Sequence, residues 1–253
     1  MTVKLGQHFL RDEGMLSKIV EAALIKPDDV ILEIGPGKGA LTSLLAKNAK
    51  RIIAIELDES LKPCLDNLPS NVEVKYGNAL ELIRGVKLNK IIANIPYAIS
   101  EPLLKKLFKA DFELAILLIG KNFYNIMLLS KDSKWSVITP IFFEINKIID
   151  VPRQAFEPMP RVDSTLIKLS KRQSELSPAE KVIKELVLQE DKKLGNALIT
   201  SFARVEKLTQ KQAKEDVSKL KIELKLLEKR VMHLSNRQFL AVYNKIHGFF
   251  RKI

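Results

Sequence analysis

The chain of 253 residues holds a single cysteine, Cys64, so it can form no internal disulfide and no multi-cysteine metal site. Histidine is almost as scarce. His8, His233 and His247 are scattered without the spacing of a zinc site, and no metal is expected. No apolar run reaches membrane-spanning length, which argues against a membrane partner. The opening segment MTVKLGQHFL lacks the apolar core of a signal peptide, so a cytoplasmic protein is expected. Internal repeats and low-complexity tracts are also missing, which excludes a solenoid.

What is present is enough apolar material for a packed core, at 46%, in a length that suits one large domain or one domain with a smaller appendage. The net charge is +12. A basic balance suggests a polyanionic partner, although a Lys- and Glu-rich helical surface of a thermostable protein would look similar. The excess is uneven. Residues 1–170 carry 23 Lys and Arg against 20 Asp and Glu, whereas residues 171–253 carry 19 against 10.

EGMLSKIVEAALI reads as an amphipathic helix. Apolar β-rich runs then alternate with helical patterns: DVILEIG, RIIAIEL, NVEVKYG, KIIANIP and FELAILLIG are separated by segments such as GKGALTSLLAKNA and SEPLLKKLF. Strands alternating with helices predict a parallel sheet covered on both faces. The pattern changes after residue 120. SVITPIFFEINKIIDV begins with a stretch readable as helix or strand and ends as a strand, and a proline-rich loop then feeds a last strand in STLIKLSK. From Ser177 the texture is helical, and Ser235 is a plausible N-cap for the final helix. The change near KRQSELSP divides the chain into residues 1–172 and a helical region, 173–253.

EIGPGKG places Glu33 just ahead of Gly35, Gly37 and Gly39, which stand at alternate positions after a strand. Glycines there let the backbone turn sharply and approach a ligand. The spacing departs from the dinucleotide fingerprint and fits the turn of S-adenosylmethionine-dependent methyltransferases, where Glu33 or the turn backbone would meet the amino-acid end of the cofactor. The next strand ends at Glu56, an acid placed to accept from ribose hydroxyls, although surface acids also end strands. After the fourth strand comes NIPY. Asn-x-Pro is ordinary turn chemistry, but it also makes a pocket rim, with Asn94 able to donate and accept, Pro96 holding Ile95 extended and Tyr97 offering a flat face.

Taken together and in this order, LGQHFLRD, EIGPGKGALT, NIPY and FEPMPRVDST resemble the KsgA-type ribosomal RNA adenine dimethyltransferases from about Lys4 to about Lys171, and more loosely into the helical tail. The resemblance implies a Rossmann-like, mostly parallel α/β sheet of seven strands with a small all-helical C-terminal domain that binds RNA. It implies methyl transfer from S-adenosyl-L-methionine to the N6 amines of two adjacent adenosines in the 3'-terminal hairpin of small-subunit rRNA, within the pre-ribosomal small subunit, by a monomer. His8 and Leu10 then match positions that close over the cofactor, Gly35 and Gly37 the turn, Glu56 the ribose acid and Asn78 the neighbour of the cofactor adenine. Asn94, the Ile95 carbonyl and Tyr97 match the holders of the target adenine, and Phe156 a second aromatic beside it.

Some positions depart from the family. Asn78 stands where an acid is usual, KNFYNIMLL after the fifth strand lacks an arginine, and Glu190 and Asp191 stand where positive charge is expected. Weaker cofactor binding and altered RNA grip are expected. Two other functions fit the same residues: a large-subunit rRNA adenine methyltransferase of the macrolide-resistance type, and a ribosome-assembly RNA-binding factor without turnover.

Overall fold

A computed structural model describes residues 7–83 and 87–251, the side chain of Tyr97 excepted. Strand β1 (Phe9–Leu10) leads to α1 (Glu13–Ala23), whose first turn is capped by the Asp12 carboxylate accepting from Met15 N at 3.0 Å. The run VILEI forms β2 (Val30–Ile34), and the glycine turn opens α2 (Ala40–Ala46). Next come β3 (Arg51–Glu56), α3 (Lys62–Leu65), β4 (Val72–Tyr76), α4 (Ala79–Leu82) and β5 (Lys90–Asn94). They are followed by α5 (Ser100–Lys109), β6 (Leu114–Gly120), α6 (Lys121–Leu128) and α7 (Lys134–Phe142). Strands β7 (Phe143–Val151), β8 (Phe156–Glu157) and β9 (Ser164–Lys171) complete the sheets.

Seven strands form one sheet in the order β4-β3-β2-β5-β6-β9-β7. From β4 to β6 every pairing is parallel, and β9 lies antiparallel to β6. Every residue of β6 is buried, which requires the unbroken apolar run LAILLIG rather than alternation. The strand order reverses between β2 and β5. That reversal opens a crevice beyond their carboxyl ends, the usual ligand site of an open α/β sheet. The opposite end is pinned. Lys90, at the start of β5, forms a buried ion pair with Asp29 at 2.6 Å and donates to the Leu24 carbonyl.

The chain forms two compact units. The first comprises Met1–Tyr124 and Glu144–Lys171, and the second Asn125–Phe143 and Arg172–Ile253. In the second, α7 packs against α8 (Pro178–Leu188). The rest of that unit is α9 (Leu194–Val205), α10 (Gln210–Lys219), α11 (Leu224–Leu227) and α12 (Asn236–Phe250), and α12 also packs on α7 and α8. Of the ambiguous segment SVITPIFF, all but the last residue is helical, and Phe143 opens β7. Ser133 caps α7 by accepting from Trp135 N, and Trp135, Ile138, Ile141 and Phe142 are buried. Ser177 and Ser235 start α8 and α12 through reciprocal capping boxes with Glu180 and Gln238.

Candidate active site

At the carboxyl ends of β2, β3 and β5 lies a cavity of about 550 Å³. The glycine turn forms its floor. Gly35, Gly37 and Gly39 have φ of 72°, 58° and 83°, the left-handed region that side chains strain to enter. Space adds a second restriction at Gly37, where a Cβ would stand 2.8 Å from Cδ1 and 2.9 Å from Cε1 of Phe9.

Glu56, at the tip of β3, is 4% exposed and held by backbone donors. Its Oε2 accepts from Gly37 N at 3.0 Å, and its Oε1 accepts from Leu57 N and Asp58 N, each at 2.9 Å. The carboxylate ties the glycine turn to the end of the neighbouring strand. It keeps acceptor capacity to spare, since two carboxylate oxygens offer about four lone-pair sites. Glu33 lies one strand away, 1% exposed, and its Oε2 has no hydrogen-bond partner among the described residues. Burial pushes its carboxyl up to about 8; the nearby Thr42 hydroxyl opposes the shift and the Glu56 charge adds to it. Burial thus drives the Glu33 carboxyl toward its neutral form.

The N-terminal segment crosses this crevice. β1 pairs antiparallel with β8, setting Phe9 opposite Glu157 and Leu10 opposite Phe156. Gln7 Nε2 donates to Asp58 Oδ2 at 3.1 Å, and His8 Nδ1 lies 2.6 Å from the Pro158 carbonyl, an acceptor, so that nitrogen carries the proton. Asn94 Nδ2 donates to the His8 carbonyl at 3.0 Å, spanning 86 positions of sequence. That bond fixes the amide's orientation and leaves Oδ1 as its acceptor. The Ile95 amide continues the β5 ladder, donating to the Leu118 carbonyl at 3.0 Å.

His8, Leu10, Glu33, Gly35, Gly37, Glu56, Asn78, Asn94 and Pro96 all line the cavity. Ile95 and Phe156 do not. Ile95 is 3% exposed, and Phe156, 5% exposed, belongs with Leu10 and Leu16 to the apolar core. The Tyr97 side chain lies outside the described residues. Asn78 caps α4, with Oδ1 accepting from Leu80 N at 3.0 Å and Nδ2 donating to Glu81 at 3.2 Å. Its side chain therefore holds a local turn, with one lone pair and one N–H still to offer. Phe9, Lys38 and Leu57 also line the cavity and were not read from sequence. Phe9 backs the glycine turn and carries the Lys38 ammonium 5.2 Å from its ring centroid. A two-residue strand gives no periodicity by which to assign its faces.

The family model described as ribosomal RNA adenine dimethylase matches residues 1–236. A probable ribosomal RNA small subunit methyltransferase A from Methanococcus maripaludis is 37% identical, the match covering 92% of this chain and 96% of the relative. A dimethyladenosine transferase structure from Plasmodium falciparum is similar with a TM-score of 0.64 at 28% identity, covering 96% of this chain and 98% of that one. The structure of the 23S rRNA methyltransferase ErmE shares the fold, with a TM-score of 0.62 at 24% identity, covering 94% of this chain and 99% of that one.

Proposed function

The chain belongs to the ribosomal RNA adenine dimethylase family, and from that premise we propose that it transfers methyl groups from S-adenosylmethionine to the N6 amines of two adjacent adenosines. The target is the 3'-terminal hairpin of small-subunit rRNA, within the pre-ribosomal small subunit in the cytoplasm, and the protein acts as a monomer. We assign methyl transfer to residues 1–172 and RNA grip to residues 173–253, where most of the positive surplus lies.

The cavity suits the donor. Glu33 Oε2 is a buried acceptor without a partner among the described residues, available to an ammonium, and a cation there would draw the carboxyl back toward its ionised form. Glu56 offers its remaining lone pairs to ribose hydroxyls, and the bare turn at Gly35 and Gly37 admits close approach of backbone to ligand. When bound, the donor supplies a methyl group on a sulfonium and leaves as a neutral thioether.

Because that leaving group is neutral, the protein's task is alignment more than base catalysis. An adenine amine is a weak nucleophile, its lone pair delocalised into the ring. Asn94 Oδ1 and the Ile95 carbonyl are acceptors for its two hydrogens, an arrangement that favours a pyramidal nitrogen with its lone pair directed at the methyl. With the donor held by Glu33, Glu56 and the glycine turn, the aligned amine would take its methyl as the thioether departs, and the amine proton would pass to water. The base must leave its helix to reach the cavity, a cost that an aromatic face offsets in part, and Tyr97 is the aromatic residue of the motif.

The observation that carries this reading is the Asn94 amide, fixed by the His8 carbonyl at the rim of the cavity that holds Glu33, Glu56 and the glycine turn. The test is to incubate the protein with undermethylated small subunits and labelled donor, then map the modified nucleotides. Dimethylation of two adjacent adenosines near the 3' end is expected. Label in large-subunit RNA alone, or RNA binding without incorporation, would overturn it.

A further inference from the structure

Beyond the cavity, the same end of the sheet carries a second polar cluster that the methyl-transfer chemistry does not use. Lys121 follows the last residue of β6, Thr165 lies near the start of the antiparallel β9, and Lys147 and Asp150 lie in β7. Lys121 Nζ and Lys147 Nζ converge on one oxygen, Asp150 Oδ2, at 2.9 and 2.8 Å. The Thr165 hydroxyl donates to the other oxygen, Oδ1, at 2.9 Å. The Tyr124 ring lies 5.9 Å from Lys147 Nζ. Asp150 therefore works as a fixed post that holds two ammoniums side by side.

These ammoniums are charged but not spent. The pair with Lys147, then that with Lys121, draws the Asp150 carboxyl down to about 2, and Asp150 in turn raises Lys121. Each ammonium has three donors, and one on each meets Asp150. Their side chains are 42% and 41% exposed, so the remaining donors face solvent. Asp163 adds a weaker negative field at Lys121 while its Oδ1 caps the Arg153 amide at 3.0 Å, and Arg153 and Arg161 are exposed close by in the chain.

The position matters as much as the charge. Leu118 pairs with Asn94 across β5 and β6, and Lys121 is three residues further along. With strands about 4.8 Å apart and a rise of about 3.3 Å per residue, the two backbones are roughly 11 Å apart. Lys121 therefore stands at the same end of the sheet as Asn94, the residue to which the target base is assigned above.

We propose that Lys121 and Lys147, held by Asp150, form a clamp for a backbone phosphate of the substrate RNA beside the target adenosine. The clamp rests on the RNA-methylating reading of the cavity and deepens it. A phosphate oxygen can take a donor from each ammonium, and the post keeps both side chains extended before RNA arrives. The clamp positions the backbone, while Asn94 reads the base edge.

The test uses the full chain with undermethylated small subunits for turnover and a small-subunit RNA hairpin for binding across a salt series. The double variant Lys121→Gln with Lys147→Gln should raise KM for the particle roughly five- to tenfold and lower the salt slope of binding by roughly 0.7–0.9, the equivalent of one phosphate. Its kcat and donor affinity should stay within twofold, and arginine at both positions should restore the slope. An unchanged slope in the glutamine double variant, or a slope that arginine at both positions does not restore, overturns the clamp. Failure of the unaltered protein to methylate small subunits would instead overturn the reading of the cavity, with the salt slopes still deciding the clamp. RNA binding that is absent in the unaltered protein overturns both.

Discussion

Removing the Glu56 carboxylate should produce two losses that separate in two assays. Three backbone donors converge on it, Gly37 N at 3.0 Å and Leu57 N and Asp58 N at 2.9 Å. In Glu56→Ala water can take over at the exposed Leu57, but Gly37 is buried and its amide loses its partner. A buried donor left unpaired costs about 1–3 kcal/mol, which urea unfolding of the ligand-free protein would read. The second loss is the hydrogen bond offered to the donor's ribose. At about 1.5–3 kcal/mol for a bond to a charged group, Kd for S-adenosylmethionine should rise about ten- to 150-fold by titration calorimetry. Glu56→Gln sharpens the reasoning. It keeps the volume, but one carboxylate oxygen becomes an NH2 group, and three backbone donors then compete for a single oxygen. Its stability loss should approach that of alanine. Wild-type donor affinity in a folded Glu56→Ala protein would refute the ribose role, and unchanged stability would refute the bracing of the glycine turn.

Asn94→Ala should lower turnover by about a hundredfold or more, the scale of lost alignment, and leave donor affinity within a few-fold; a variant that loses thermal stability but not rate per folded molecule would reduce the motif to a turn. Gly37→Ala should strain a backbone at φ 58° and drive the Phe9 ring off the turn, costing roughly 1–3 kcal/mol and most of the donor binding; a crystal structure with Phe9 unmoved would contradict this. Glu33 gives a pH signature. Its folded pKa of about 8 stands above the ordinary value of 4.5, so between those values the native state holds a proton that the unfolded chain has released. Its contribution to stability is fully present below the unfolded pKa and is lost as pH rises toward 8. Glu33→Gln should therefore gain on the unaltered protein from pH 5 to pH 8 in urea unfolding, and parallel pH curves would count against it.

Much of the fold was legible because its central strands, β2, β3, β5 and β6, are buried on both faces. Such strands must be continuous apolar runs, and glycines at alternate positions after the first of them mark a turn whose positive φ other residues resist. Ser235 announced the last helix through local chemistry alone. Other features were decided by partners remote in sequence. SVITPIFF fits helix or strand by pattern, and it is helical where Trp135, Ile138 and Phe142 are buried in the second unit. A chain cut at Lys171 would leave α7 without α8 and α12, against which it packs. Phe156 carried the mark of a stacking aromatic, yet only the pairing of β1 with β8 fixes its side of the strand, and that side is the core. Asn94 was conspicuous in sequence, but its orientation depends on the His8 carbonyl 86 positions earlier. The sequence by itself determined which residues could do chemistry, because residue type and local spacing set donors, acceptors and turns. The tertiary structure decided their states: a Glu33 whose pKa burial raises, a braced Glu56, and two lysines on one aspartate. Burial and charge proximity arise between segments that the chain keeps far apart.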